Sequence, residues 1–424
     1  MFLLKKETYF KFFLFIFLFV YLSSLVIKGI GFISRDLWVL ILLLFFLRQI
    51  TKEKSIIFID FRWFLFFYCL FIIWAGLNYV FSLQSINNLV PYITYLILFL
   101  SLVYLIKFLI KKLGKDKLFS FILCIYLIHA ILIVASFLLP GLKIYLNILF
   151  PFEGNIDITA VRVRGILSAE GATVALFLTF GFFIIFWKLL KHRAVSLNLY
   201  SYMFILFLGV LFSGRTGLLI ISIYLIMIFV FLTPKLKLRK TIVKFYSLMP
   251  FIAGFFILLF IYIYNKIKTF TPLNTAWGAD ALQSILKWVM KEKSSESSTI
   301  NILLSKHLII NNNFWGLLFG DPNFLTFGNS TDIGYLRKIN DFGLIGAFLY
   351  YFSIFILFFK TFHISKGFER YLVFILTIVM FLSEFKEPFM YKLVIAPSYL
   401  TLLLIIYFSN KDLHRKINPC TLLT

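Results

Sequence analysis

The chain has 424 residues, 62% of them hydrophobic and 14% charged, with a mean hydropathy of +0.97. A soluble globular domain carries about 25% charged residues, so an ordinary soluble fold is excluded. The net charge of +24 would point to nucleic acid in a soluble protein. Lysine-rich cytoplasmic loops give a membrane protein the same excess, and no nucleic-acid partner is inferred.

A bilayer core takes about 20 apolar residues per helix, and stretches of that length recur along nearly the whole sequence. They predict an all-α, polytopic integral membrane bundle of about twelve transmembrane helices. The expected helices fall at 10–27, 33–47, 63–81, 89–110, 118–139, 166–187, 197–213, 217–233, 246–264, 342–359, 370–384 and 389–408. The opening "MFLLKKETYFKFF" has no small-residue cleavage site before its apolar run, which implies an uncleaved first helix. With both termini cytoplasmic, most of the 42 basic residues face inward, among them Arg62, Lys107, Lys111, Lys112, Lys115, Lys117, Lys360, Lys366, Arg370 and Lys411. That orientation sets "VRVRG", "SGRTG", the segment 265–341 and "SEFKEPFMYK" on the outer face. One integral domain over 1–424 is expected, with 265–341 as a single large extracytoplasmic loop between the ninth and tenth helices. Inside that loop Leu282, Ile285, Leu286 and Val289 share one helical face, with Trp277 and Trp288 near the ends, the pattern of a helix lying in the membrane interface.

Three outward stretches carry groups that chemistry could use. In "VRVRGILSAEGATVALFLTF" Arg162, Arg164 and Glu170 run straight into an apolar helix, with Glu170 about one turn inside it. They read either as a carboxylate at a helix start with snorkelling arginines or as an anion site. Arg215 is the single charge of the tight turn in "FLGVLFSGRTGLLIISIYL"; it serves either as an interfacial anchor or as a fork onto phosphate, which lysine cannot reproduce. "FGNSTDIGYLRKINDFGLIGAFLYYF" holds Asp332, Tyr335, Arg337 and Asp341. Asp341 is placed to cap the tenth helix, and Asp332 is either a turn residue or a carboxylate aimed at a sugar hydroxyl. Glu384, Lys386 and Glu387 in the last outward turn are expected to pair with one another. No phosphate loop, nucleotide-sugar D-x-D or H-E-x-x-H site occurs, and five scattered histidines suggest no metal cluster. No cofactor is implied. An enzyme of this kind would act outside the cell without ATP, on an activated lipid-linked substrate.

At these three stretches the chain resembles the O-antigen polymerase and O-antigen ligase group, bacterial membrane enzymes that move glycan from an undecaprenyl diphosphate carrier. Arg162-x-x-Gly165 with a downstream Glu is similar to the group's R-x-x-G-[LI]-F-x-E-P stretch, with Glu170 one residue late and Gly171 in place of the proline. "SGRTGLL" is similar to its S-R-[TG]-x-[LA] turn. "TDIGYLRKINDFGLIGAFLYY" resembles its D-[SN]-x-Y-[LI]-x-x-[LI]-x-x-x-G-[LI]-[IL]-G segment. The ligases usually carry a histidine-asparagine pair where this chain has Thr331 and Asp332, which favours polymerase. The resemblance covers about residues 160 to 360. It implies a multi-pass protein of the bacterial inner membrane and a glycosyltransferase acting on lipid-linked repeat units. Arg162, Arg164, Arg215, Arg337 and Tyr335 would bind diphosphate or substrate, with Asp332 as base and Glu170 in reserve. Membrane lipid, a chain-length regulator and a flippase are the implied partners. The rival readings are a ligase, a lipid-linked oligosaccharide flippase, and a secondary transporter. The transporter would need midplane polar groups and broken helices.

Overall fold

A computed structural model describes residues 2–24, 56–82, 89–150, 163–167, 169, 171–192, 197–232, 310–311, 313–322, 324 and 333–417. Every regular element among them is a helix: α1 (Phe2–Ser23), α2 (Ile56–Phe81), α3 (Val90–Leu113), α4 (Lys115–Leu138), α5 (Pro140–Leu149), α6 (Gly171–His192), α7 (Leu197–Ser213), α8 (Arg215–Leu232), α9 (Phe314–Phe319), α10 (Gly334–Ile364), α11 (Gly367–Ser383) and α12 (Ala396–Ile417). Five spans, Ile59–Phe81, Val90–Leu113, Lys115–Leu138, Gly171–His192 and Gly334–Ile364, are long and apolar enough to cross a membrane. The protein is therefore an all-α membrane protein. The expected helices at 33–47 and 246–264 and the interfacial helix within 277–289 lie outside the described residues.

The chain forms two compact units interleaved in sequence: Met1–Gly31 with Phe119–Glu296, and Phe32–Leu118 with Ser297–Thr424. In the first unit α6 is the axis, buried along almost its whole length and packed by α7 and α8. A helix that is apolar all round belongs inside a bundle. Small residues set the spacing: a Cβ at Gly181 would meet Leu206 at 2.7 Å, one at Gly209 would meet Ala130 at 2.9 Å, and one at Gly217 would meet Val210 at 2.5 Å. Such close approach is how helices associate where lipid supplies no hydrophobic drive. The helix starts at Gly171 instead of near 166, because the chain turns at Gly165, whose φ is +62°. The turn drives Ile166 into an apolar cluster with Leu146, Phe19 and Leu132.

In the second unit α10 lies along α2 and α12 along α3, and α10 also packs against α11 and α12. Its centre is aromatic; Phe71 meets Tyr92 and Phe342 at 5.2 Å and Tyr350 at 5.1 Å. The sequence places the tenth helix at 342–359 with Asp341 as its cap. The helix instead begins at Gly334 after the uncapped Ile333 and breaks at Gly343, where φ is 71° and ψ is 177°. Asp341 therefore sits inside a short helical segment, 334–342, and caps nothing. The 21 residues beyond the break, at 1.5 Å each, reach about 31 Å, the thickness of the hydrocarbon core. The break thus stands at one end of the span and not at its middle.

A broken helix frees backbone groups that must find partners. Here the Phe342 carbonyl accepts from Trp74 Nε1 at 2.9 Å, and the Asn340 carbonyl accepts from the Asp321 amide at 2.8 Å. α9 lies directly over the break: a Cβ on Gly343 would stand 2.3 Å from the Leu318 carbonyl oxygen, and one on Gly320 would stand 2.6 Å from Gly343 N. At the opposite end of this unit, Lys115 and Glu369 form an ion pair, as do Lys411 and Asp60, and Asn410 donates to Glu369 at 2.7 Å. The cations that the sequence assigns to the inner face thus gather at one end, away from the break. α12 starts at Ala396 instead of 389 because residues 384–395 are taken up by turns.

Gly343→Ala combines a left-handed φ with backbone overlap, whereas Gly114, with φ +76°, has nothing within 4 Å of its missing Cβ. Gly114→Ala should cost about 1 kcal/mol, and Gly343→Ala at least 2–3 kcal/mol, by a rough estimate from stored backbone strain. Thermal unfolding of the two purified variants would show the larger drop for Gly343→Ala; equal drops would mean the overlap relaxes freely.

Candidate functional site

In the first unit the structure brings together two stretches that lie apart in sequence. The Val163 amide donates to the Phe212 carbonyl at 3.3 Å, and a Cβ on Gly214 would lie 2.9 Å from the Gly171 carbonyl oxygen. The starts of α6 and α8 therefore converge, with Arg215 as the first residue of α8. Two helix N-termini side by side form a positive backbone field. Arg164 is half-buried beside them and already employed: Nε donates to Asn147 Oδ1 at 3.1 Å and Nη2 to the Phe150 carbonyl at 2.8 Å. A cation on the last carbonyls of α5 is favourable. Burial pulls the guanidinium below its ordinary value, yet it stays charged. Arg162, Glu170 and Asp332, and the side chain of Arg215, lie outside the described residues. Because α6 starts at Gly171, the position of Glu170 immediately precedes the helix instead of falling a turn inside it.

The second unit holds a polar cluster at the broken end of α10. Arg337 is exposed and Asp341, one turn on, is half-buried. Between them in sequence, Lys338 is 0% exposed. Its Nζ donates to the Tyr92 hydroxyl and lies 3.9 Å from the ring centre of Tyr391, 4.5 Å from Tyr92, 5.5 Å from Tyr350 and 5.7 Å from Phe342. A desolvated cation over an aromatic face gains about 2 kcal/mol, and here four faces share it. Asp341 and Glu384 are the carboxylates within its electrostatic reach.

Glu384 is buried too, and the last outward turn is built around it. Met390 N donates to Oε1 at 2.6 Å, Tyr351 donates to Oε2 at 2.9 Å, and Gly334 N donates to its backbone carbonyl at 2.8 Å. Glu387 pairs with Lys392 at 2.8 Å. Of Glu384, Lys386 and Glu387, expected to pair with one another, the two glutamates thus have these partners as well. Burial pushes the Glu384 carboxyl up to about 7, against the pull of its donors and of Lys338.

Tyr335 lies near the start of α10, about one turn before Lys338. Its hydroxyl donates to the Phe381 carbonyl at 2.7 Å, and its ring packs on Tyr351 and Phe385. With Ile339, Leu344, Phe348, Tyr351 and Phe381 it lines an apolar groove of about 370 Å³. The site therefore pairs a charged cluster with an apolar channel along one helix, an arrangement suited to an amphiphile with an anionic head. Among the described residues no group of three or more His, Cys, Asp and Glu side chains comes together as a metal site would require.

Sequence reading named Arg337 and Tyr335 but missed Lys338, since lysine is rarely buried. The available signal was spacing: Tyr335, Lys338 and Phe342 share one helical face.

Glu384 has a folded pKa of about 7 against an ordinary 4.5, so the native state holds its proton more tightly than the unfolded chain. That contribution is complete below about 4.5 and is lost as pH rises through about 7. Across that window the thermal midpoint of the purified chain should fall with pH, and Glu384→Gln should flatten the fall. An unchanged slope in the variant would show that Glu384 ionises normally. No protein-family model matches the chain and no curated protein matches it, so the roles of these groups rest on their own chemistry.

Proposed function

We propose that the chain is a membrane glycosyltransferase, a surface-polysaccharide polymerase of the bacterial inner membrane, multi-pass with about twelve helices and both termini cytoplasmic. It transfers the growing glycan from undecaprenyl diphosphate to the terminal sugar of an incoming lipid-linked repeat unit on the outer face. The observation that carries this reading is that the broken end of α10 holds both an exposed cation, Arg337, and an open apolar groove lined by Tyr335. A substrate with a diphosphate head and a long apolar tail asks for that combination. The order of the three sequence stretches that resemble the O-antigen polymerase group supports it independently.

The reaction needs a base at the acceptor hydroxyl and cations for the departing diphosphate. Arg337 supplies a forked cation, and Arg162 and Arg215 are the further candidates that the resemblance names. Arg164, tied to α5, holds that turn in place and adds its charge. Asp332 is the proposed base and Glu170 its reserve. Lys338 sets a buried amine behind Arg337 and Asp341. Tyr335 lines the channel for the lipid.

A secondary transporter is the reading that a broken helix beside buried charges would favour. The position of the break speaks against it: a full membrane-length segment follows Gly343, which leaves the charges at the boundary where a lipid headgroup lies. A ligase differs only in acceptor, and a flippase leaves no repeat unit on the anchor.

Deletion of the chain in a host that displays lipid-linked glycan should collapse the ladder of extracted glycolipid to anchor plus one repeat unit. Arg337→Lys and Arg215→Lys, which keep charge and lose the fork, should each shorten or abolish the ladder on reintroduction. Loss of even the single repeat unit on deletion would assign the chain to ligation or flipping instead.

A further inference from the structure

The end of the second unit opposite the break carries a second charged cluster. α2 departs from helical geometry at Phe61, where φ is −111° and ψ is 18°, and Phe61 itself is buried on Phe99 and Tyr407. The kink separates the neighbours of Phe61. Asp60 pairs with Lys411 of α12, while Arg62 is exposed, its guanidinium 5.6 Å from the Trp63 ring. Lys360 of α10 lies 5.4 Å from the Phe61 ring and within electrostatic reach of Asp60, Lys411 and Arg62. Among the described residues, three cations thus face one carboxylate, and that carboxylate is already bonded to Lys411. Among the described residues, the two positive charges on Arg62 and Lys360 have no carboxylate of their own.

Depth and surroundings say what would neutralise them. Lys360 is 17 residues past Gly343, about 26 Å along the helix, which puts it at the headgroup level of the leaflet opposite the break. Ile59, Trp63 and Phe66 are exposed at 61%, 56% and 52% and lie at helical spacing on one face of α2. Ile73, Leu77 and Val80 continue that exposed apolar stripe toward the other end. Trp63 at the end of such a stripe is the interfacial ring that marks where tails give way to headgroups. A soluble phosphate would meet only the two cations, whereas a phospholipid meets the cations with its head and the stripe with its tails.

We propose that Arg62 and Lys360 form a binding site for an anionic phospholipid, and that a lipid carrying two phosphates on one headgroup fits it best. Asp60 holds Lys411 aside and so keeps the site's charge at two. The site lies a full helix length from the Arg337 and Lys338 cluster and acts independently of the polymerase reading.

The test is the thermal midpoint of the purified full chain in detergent, with cardiolipin, phosphatidylcholine or inorganic pyrophosphate added. Cardiolipin should raise the midpoint, and phosphatidylcholine and pyrophosphate should not. The cardiolipin concentration needed for half the rise should increase on the order of 30-fold in the double variant Arg62→Gln, Lys360→Gln, each protein being compared with its own lipid-free midpoint. Lys366→Gln, at an exposed cation outside the cluster, should leave it unchanged. An equal rise with pyrophosphate, or a cardiolipin response kept by the double variant or lost equally in Lys366→Gln, would overturn the assignment.

Discussion

One constraint organises the second unit: an ammonium group, that of Lys338, is held without any contact with water. A desolvated charge is costly unless paired and hydrogen-bonded. The unit supplies a hydroxyl from α3, four ring faces, and the carboxylates of Asp341 and Glu384 within reach. Each supply shapes the fold. Tyr391 reaches Nζ because the chain after α11 folds back on itself before α12 begins. Glu384 stays inside because Met390 and Tyr351 donate to it, and Gly334 lies so close to it that a Cβ would stand 2.7 Å from Oε2. The break at Gly343 lets a short polar helix and a membrane-length apolar one share a chain segment.

The first unit solves a different problem with different means. Its interior is apolar, and its organisation comes from glycine and alanine at helix crossings. The same device, Gly214 against Gly171, draws the starts of α6 and α8 together. Two positive helix ends then meet close to the half-buried Arg164.

Much of this was legible in the sequence, and the rest was hidden for identifiable reasons. Apolar length alone located the longer helices among the described residues, because a bilayer imposes a minimum span, but not the short α5 and α9. Loop charge did not foretell the pairing of Lys115 with Glu369 or of Lys411 with Asp60, which partners distant in sequence create. The start of α6 was misjudged because Ile166 and Leu167 are apolar for the sake of a packed turn and not of a helix. Gly343 gave no warning, since glycine inside an apolar run is common in membrane helices and only the overlying α9 explains its conformation. Of the proposed site, Arg337 and Tyr335 were legible from residue type. Lys338 and Glu384 were not, because their importance lies in burial, which partners distant in sequence create.

The interleaving of the two units has a consequence for how the protein is made. The helices within 56–113 leave the ribosome long before their partners α10, α11 and α12, with the bulk of the other unit synthesised between them. The gap of about 220 residues between α3 and α10 corresponds to roughly 11–44 s at 5–20 residues per second. During that interval α2 and α3 stand in the bilayer with their aromatic inner faces turned to lipid. Phenylalanine and tyrosine tolerate that wait where a lysine would not, and the buried lysine of this unit lies on the late-arriving helix. It enters a cage whose first ring, Tyr92, is already in the membrane against Phe71.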